Sequence, residues 1–232
     1  MPTPAGAPPS RWPKPDQSPY PHRMAQRPGR PRALTLEQII NATIADGMTT
    51  FSMPSVADRL GVAHSGLYRY VQNREALLVA VLDKISNEAS WPVPDQPWRE
   101  QLAALGEALW TICNAYPGYA IAAPSTEHVS PGFVAGLTPT VETLHRQGFD
   151  IFTATAATEF VATLVVNSSM LADRMRKLQG ADGVPEHTIP GFADPELWAG
   201  RAWYQRHLDV HLDGLEVLWN RERSQRARID QA

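Results

Sequence analysis

The side chains best suited to specific polar contacts lie close together in one short stretch. His64 and Ser65 can each donate or accept a hydrogen bond, which suits the edge of a base pair. Tyr68, Tyr70 and Arg74 follow, and their hydroxyls and guanidinium can hold phosphate oxygens. Base-reading groups followed by phosphate-binding groups predict an element that enters the major groove of DNA.

Two short helical patterns around Gly61 must position these side chains, and we interpret them as a helix-turn-helix. Ser52 predicts the cap of the first helix, which tolerates Pro54 in its first turn. The second pattern begins with small residues, from Ala63 to Gly66, which allow a helix to sit deep in the groove.

One further helix is predicted on each side of this motif. Thr35 and Gln38 have the spacing of a capping box, and Gly47 can end the helix that they begin. Asn73 predicts the cap of a helix that runs to about Ser90. Amides at its start can also bind a phosphate. The apolar stripe of this last helix comprises Leu77, Leu78, Val81, Leu82 and Ile85.

Residues 35–85 resemble the DNA-binding domain of the tetracycline-repressor (TetR) family. The residues that carry the resemblance are Val56, Ala57, Leu60, Gly61, Val62, Leu67, Tyr68, Tyr70, Val71, Asn73, Arg74, Leu77 and Leu78. The family often has a polar cap where this chain has Ala63, and its loss costs the helix about 1 kcal/mol.

The resemblance implies a DNA-contacting role for each residue of the motif. His64, Ser65 and Gly66 would lie against bases or the adjacent backbone, and Pro54 at the groove edge. The candidates for holding phosphates are Ser52, Tyr68, Tyr70 and Arg74. The alternatives are that Tyr68 packs partly into the small core and that His64 is exposed without a contact.

The first 33 residues contain ten of the 21 prolines, which predicts a disordered or extended arm. Its basic end includes Arg30 and Arg32, which either reach into a minor groove or belong to a solubilising tail. Residues 1–90 carry ten Lys/Arg and seven Asp/Glu, a balance of +3, whereas residues 91–232 carry 11 and 17, a balance of −6. A basic front and an acidic body suit a chain that touches a polyanion with one end.

The remaining composition excludes several classes of protein. The single cysteine, Cys113, cannot form an internal disulfide, and no apolar run reaches the length of about 18–20 residues that a membrane span needs. The N-terminus lacks the apolar region of a signal peptide, so we expect a cytoplasmic protein without membrane contact. The sequence contains no Gly-x-Ser-x-Gly elbow, phosphate loop or His-Glu-x-x-His helix. None of these catalytic motifs therefore indicates an enzyme.

The rest of the chain predicts more helices and no strands, so the expected fold is all-α. We divide it into an arm (1–33), a three-helix helix-turn-helix domain (34–80), and a helical ligand-binding and dimerisation domain (81–232). In the last domain, helices are expected at 98–116, 133–147, 150–177 and about 195–223, with a mobile loop at 179–193. Apolar stripes at 152–171 and 203–219 suit a homodimer interface built from the last two long helices, as in the branch that includes the tetracycline repressor.

A small-molecule pocket is expected between the body helices, although each candidate can equally be a core residue. The candidates are Trp110, Tyr116, Tyr119, Glu127, His128, Phe133, Asn167 and Met170. His207 and His211 stand four apart, a spacing that can bind a metal, but no third ligand is evident. We therefore predict no metal and no cofactor.

These observations favour a repressor that a small-molecule effector releases from double-stranded DNA at a palindromic operator. The alternative is a ligand-blind or activating DNA-binding regulator with the same fold. An enzyme built on the helical body is the least favoured reading, because its motifs are missing.

Overall fold

The computed structural model describes residues 34–179 and 201–229, which are helical with no strands, so the all-α prediction is confirmed. The elements are α1 (Leu36–Asp46), α2 (Met53–Leu60), a 3₁₀ helix (His64–Arg69), α3 (Arg74–Glu88), α4 (Trp98–Ala115), α5 (Tyr119–Ala122), a second 3₁₀ helix (Ala123–Ser125), α6 (Pro131–Arg146), α7 (Ile151–Gln179) and α8 (Arg201–Ile229). The predicted arm, nearly all of the predicted 179–193 loop and the predicted start of the last helix lie outside the described residues. Where it is described, the last helix continues six residues beyond its predicted end at Arg223.

Local hydrogen bonds set the start of the first two helices, as the sequence predicts. The Thr35 hydroxyl accepts from the Gln38 amide at 3.2 Å, and the Gln38 side chain accepts from the Thr35 amide at 3.0 Å. Ser52 caps α2 in the same reciprocal way with Ser55. The predicted end of α1 at Gly47 is also confirmed.

One small core joins α1, α2, the first 3₁₀ helix and α3. Ile39, Phe51, Val56, Leu67 and Leu77 are all at most 2% exposed, so every element of the helix-turn-helix contributes a fully buried side chain. Burying one such side chain stabilises a fold by about 1.5–3 kcal/mol. The mutual position of these elements is therefore strongly determined.

Helix α3 continues from this core into the body without a break. Its Asn73 cap is confirmed, with the Asn73 Oδ1 atom accepting from the Ala76 amide at 2.7 Å. Further along, Asp83 accepts from the Gly132 amide at the start of α6, at 2.6 Å. The predicted boundary at residues 80–81 falls inside α3, and the division into two domains stays a prediction.

The body core is centred on α4 and α7, which pack along each other. Leu102, Leu105 and Leu109 of α4 are fully buried. On α7 the buried residues include Ala154 and Ala157, whose small side chains allow a close approach between helices.

Gln147 links the end of α6 to the start of α4. Its Oε1 atom accepts from the Trp98 amide at 2.8 Å, and its Nε2 group donates to the Gln96 carbonyl at 2.7 Å. The Trp98 ring lies edge-on to Phe149 at 5.4 Å and 6.2 Å from Trp219 of α8. Thus one amide side chain and three aromatic rings join α4, α6 and α8.

Helix α7 has two apolar faces. The stripe predicted for a homodimer interface begins with Phe152, Ala156 and Phe160, and in the single chain Phe152 is 84% and Phe160 46% exposed. The alanine-rich face is the one that packs inside the chain. Both faces satisfy the helical period, so only the neighbouring helices could distinguish them.

The length and composition of residues Ile151–Arg174 would also allow a membrane crossing, contrary to the expectation that no apolar run is long enough. Core helices of soluble proteins meet the same criterion, and α7 packs against α4, α5, α6 and α8. We assign it to the protein core on this ground.

Helix α8 packs through its predicted stripe, in which Leu208, Leu212 and Leu215 are buried. At its N-terminal end Tyr204 stacks on Trp110, with ring centroids 5.2 Å apart, and its hydroxyl lies against Gly106 of α4. Arg99 of α4 forms ion pairs with Asp213 at 2.6 Å and Glu216 at 3.2 Å.

Gly136 of α6 provides a test of this packing. A Cβ atom at this position would lie 2.1 Å from the Trp91 ring, whose Nε1 group donates to the Ser86 carbonyl at 2.8 Å. We expect Gly136→Ala to lower the free energy of unfolding by about 1–3 kcal/mol, because the ring must move. Thr138→Ala, on the exposed side of the same helix, should change it by less than about 0.5 kcal/mol. Equal urea midpoints for the two variants would contradict this packing.

Candidate nucleic-acid interface

The turn of the helix-turn-helix depends on the left-handed conformation of Gly61, with φ of 66°. The Gly61 amide donates to Asp58 O at 3.1 Å, and the Val62 amide to Ala57 O at 3.1 Å. Residues with a side chain rarely adopt this conformation, which explains why glycine occupies the position. The chain is thereby redirected from α2 into the next element.

That element is a 3₁₀ helix over His64–Arg69 rather than the α-helix expected from the pattern. Its first turn is closed by the Gly66 amide, which donates to Ala63 O at 2.8 Å. Ala63 provides no side-chain cap, as the sequence predicts. A 3₁₀ helix rises about 2.0 Å per residue against about 1.5 Å in an α-helix, so its side chains are spaced further apart.

His64 and Tyr68 form a pair on the exposed side of this helix. Their rings meet edge to face with centroids 5.0 Å apart, and the Tyr68 hydroxyl lies 3.3 Å from His64 Nε2. Tyr68 is 48% exposed, and the alternative that it packs partly into the core stays a prediction. Ser65 is also exposed, whereas Leu67 at 0% exposure anchors the helix from below.

Tyr70 has a hydrogen-bond partner inside the domain. Its half-buried side chain donates its hydroxyl proton to the carbonyl of Leu34, just before α1. A phosphate contact by this hydroxyl would require the bond to break, because a phenol has one proton to donate. The phosphate role of Tyr70 stays a prediction, and the structure adds an anchoring role.

Arg74 also combines two possible roles. Its Nε group donates to the Phe51 carbonyl at 3.1 Å, and its guanidinium carbon lies 4.3 Å from the centroid of the Phe51 ring. This contact ties the start of α3 to the connection between α1 and α2. A guanidinium has five N–H donors, so four remain for a phosphate.

The contacts of Asp46 were missed at the sequence level. Its carboxylate accepts from the Ser55 hydroxyl at 2.5 Å and from Arg59 at 3.2 Å, which joins α1 to α2. The Ser55 bond, followed by Arg59, lowers the pKa of Asp46 below its usual value. The nearby Ser52 serves as the α2 cap, and Pro54 is exposed beside it.

A second candidate site is a cavity of about 290 Å³, bordered by α3, α5, α6, α7 and the segment 123–130. We call it the α6–α7 slot. It brings together three of the predicted pocket residues, Tyr119, Phe133 and Asn167. Its other lining residues are Leu82, Ala123, Pro124, Thr126, Val129, Ser130, Leu137, Glu159, Ala162, Thr163 and Val166.

Three other predicted pocket residues lie elsewhere. Trp110 stacks on Tyr204, and Met170 is exposed. Tyr116 lines a separate cavity of about 540 Å³ between α3 and α4. Trp110 and Tyr116 were predicted because they are aromatic, and aromatic residues are common both in cores and in pockets. Residue type alone therefore could not distinguish a core position from a pocket position.

Glu127 and His128, also predicted for the pocket, lie on the exposed surface beside Glu75 of α3. The Glu127 amide donates to Glu75 Oε1 at 2.9 Å, and His128 Nδ1 is 4.0 Å from the same atom. Ligand atoms of the three side chains lie within 4.8 Å of one another, close enough to hold a metal ion. Exposed acidic groups often share this geometry without a metal.

The histidine pair of the last helix is engaged in packing. His207 Nδ1 lies 2.9 Å from the Trp203 carbonyl, and the His211 ring stacks on Phe160 at 4.0 Å. Burial lowers the pKa of His211 below its ordinary value. Within the described residues this pair does not belong to a group of three potential metal ligands.

Residues 33–81, which contain the complete helix-turn-helix, match the family described as bacterial regulatory proteins, tetR family. This match assigns residues 33–81 to the DNA-binding region of the TetR family. The predicted resemblance is therefore confirmed, and the match ends within α3.

Two curated relatives come from Streptomyces and Saccharopolyspora. The HTH-type transcriptional repressor DrrR1 of Streptomyces coeruleorubidus is 24% identical over 75% of this chain and 64% of its own length. An HTH-type transcriptional regulator of Saccharopolyspora erythraea is 28% identical over 58% of this chain and 59% of its own length. The chain thus spans about three fifths of the length of the curated relatives that it matches.

The fold also resembles that of the TetR family protein ActR of Streptomyces coelicolor, solved in complex with actinorhodin. The TM-score is 0.62 at 24% identity, over 79% of this chain and 96% of that chain. This likeness includes the helical body as well as the TetR domain. The likeness shows the fold and does not identify the effector of this chain.

The anchoring role of Tyr70 can be tested with Tyr70→Phe, which removes only the hydroxyl. We expect the free energy of unfolding to fall by about 1 kcal/mol, because the Leu34 carbonyl loses its partner. We also expect the affinity for DNA to be unchanged. A uniform loss of affinity for operator and random DNA would instead assign the hydroxyl to a phosphate.

Proposed function

We propose that this TetR-family chain is a sequence-specific transcriptional repressor rather than an enzyme. The observation that supports it most directly is the exposed His64–Tyr68 pair on a 3₁₀ helix anchored by Leu67. Both side chains can reach base edges or phosphates from a backbone with little freedom to move. Such a repressor binds DNA in the cytoplasm. Arg30 and Arg32 of the arm would add contacts in the minor groove.

We propose a homodimer on a palindromic operator. A single helix-turn-helix makes few base contacts, whereas two-fold symmetry doubles them on a matching site. The last two long helices expose apolar side chains that a second copy can cover. These residues are Phe152, Phe160, Val210, Val217 and Leu218, which are 44–84% exposed.

We place the small-molecule effector in the α6–α7 slot, because this slot borders α3 directly. Leu82 of α3 lines it, and the buried Tyr119 hydroxyl lies 3.4 Å from the hydroxyl of Ser86 on α3. Burial raises the pKa of Tyr119 to about 12, so its hydroxyl is protonated at neutral pH. A ligand that displaces the Tyr119 side chain would change the position of α3.

A second connection runs from the slot to α3 on the outer surface. The segment that contributes Thr126 and Val129 to the slot also holds Glu75 through the Glu127 amide. Glu75 lies one residue after the start of α3, next to Arg74. An effector acts as an inducer only if it binds more tightly to the state that cannot bind DNA. Movement of this segment would give the two states different positions of α3.

The DNA-binding proposal is tested by measuring affinity for palindromes found upstream of neighbouring genes. We expect salt-sensitive, sequence-specific binding, in which His64→Ala reduces discrimination against a substituted base pair by about 1–3 kcal/mol. Thr138→Ala, on the exposed side of α6, should bind like the parent protein. Equal affinity of the parent protein for operator and random DNA would refute the proposal.

The dimer proposal is tested with Val217→Glu, which places a charge on the exposed apolar face of α8. We expect sedimentation to show a shift from dimer to monomer, and affinity for a palindrome to fall at least about tenfold, because an interface charge without a partner is costly. Val134→Glu is the matched control, since Val134 is 51% exposed on α6, outside the proposed interface. A dimeric Val217→Glu protein would exclude this face of α8.

A further inference from the structure

We propose that the α6–α7 slot binds an elongated, largely apolar organic cation, with the positive charge of the ligand against Glu159. This inference rests on the proposed function for the role of the slot, and it adds the chemical class of the effector. It follows from the distribution of polarity around the cavity.

The inner wall of the slot is apolar and is provided by three helices. Phe133 and Leu137 of α6 are joined by Leu82 of α3 and by Ala162 and Val166 of α7. Such a wall favours an aromatic or aliphatic ligand body, because covering it removes apolar surface from water on both partners.

Next to this wall, the slot has an exposed polar edge that follows a single line on α7. Glu159, Thr163 and Asn167 are spaced by four residues and all line the cavity. Eight residues of α-helix extend about 12 Å, so the polar edge has roughly the length of three fused aromatic rings. The slot therefore fits a long, narrow molecule better than a compact one.

Glu159 determines the preferred charge. Among the described residues that line the slot, it is the only Asp, Glu, Lys, Arg or His. No described residue forms a hydrogen bond or ion pair with its carboxylate, although Arg146 and Arg99 hold other carboxylates of the body. A neutral or anionic ligand would cover this carboxylate without compensating its lost hydration, whereas a cationic nitrogen supplies the missing partner.

The remaining polar groups of the slot are neutral. Thr126 and Ser130 offer hydroxyls on the side of the connecting segment, and Tyr119 offers a protonated phenol. Asn167, at the far end of the polar edge from Glu159, can donate or accept a hydrogen bond. A ligand with a cationic nitrogen at one end and a neutral polar group at the other would satisfy both ends.

Calorimetric titration of the full chain with planar three-ring probes tests this proposal. Acridine orange supplies the cation, acridone a neutral ring system of similar size, and anthracene-2-carboxylate an anion. We expect acridine orange to bind about tenfold more tightly than acridone, and the anion to bind weakest. In Glu159→Gln the preference for the cation over acridone should fall to about twofold or less.

Glu142→Gln is the matched control, because it removes the same charge from an exposed position of α6 that does not line the slot. It should keep the full preference for the cation. The proposal is overturned if the parent protein does not bind acridine orange, if it binds acridone equally well, or if Glu159→Gln retains the preference.

The titration contains no DNA, so its result is independent of operator binding. A chain that prefers the cation but does not recognise a palindrome would uphold the ligand class and reject the proposed function. A chain that recognises a palindrome without preferring the cation would do the reverse.

Discussion

Helix α3 is held at both ends by contacts that belong to different parts of the molecule. At its start, Arg74 is bonded to the Phe51 carbonyl within the helix-turn-helix. Further along, Asp83 holds the first turn of α6, and Ser86 lies against Tyr119. Because one continuous helix carries both sets of bonds, the body cannot rearrange around α3 without changing the constraint on the DNA-reading element. Coupling between the two sites needs a shared element of this kind.

The first 3₁₀ helix, which is the proposed DNA-reading element, is held in place by the core beneath it rather than by its own hydrogen bonds. It has no side-chain cap at Ala63 and spans only six residues. Leu67 is fully buried, and Tyr70 is bonded to the residue before α1. Rigid support of this type holds the backbone beneath the exposed His64 and Ser65, which we propose face DNA. Pre-organisation reduces the ordering entropy that binding would otherwise cost.

The distribution of charge also distinguishes the N-terminal part of the chain from the rest. The first 90 residues carry a balance of +3 and the rest a balance of −6, which favours contact of a polyanion with the N-terminal part of the chain. Within the acidic part, several carboxylates are paired, as with Arg99 on Asp213 and Glu216. Glu159 differs from these carboxylates, because no described residue forms an ion pair with it and because it lines the slot.

The sequence by itself determined the features that depend on neighbours three or four residues away. The caps at Thr35, Ser52 and Asn73 and the turn at Gly61 were predictable because each is a local bond or a local backbone preference. The all-α fold followed from the helical period for the same reason. The family resemblance added an expected DNA-facing side of the motif, which periodicity alone does not provide.

Only the tertiary structure decided which groups from distant parts of the chain meet. Tyr70 bonds to a carbonyl 36 residues away and Arg74 to one 23 residues away, and no local pattern specifies either contact. The two apolar faces of α7 have the same period, so the positions of α4 and α8 decided which one is buried. Likewise, three of the predicted pocket residues converge on one slot, whereas Trp110 is taken up by stacking on Tyr204. Side-chain type is local information, but a cavity is formed by the spaces that several packed helices leave between them.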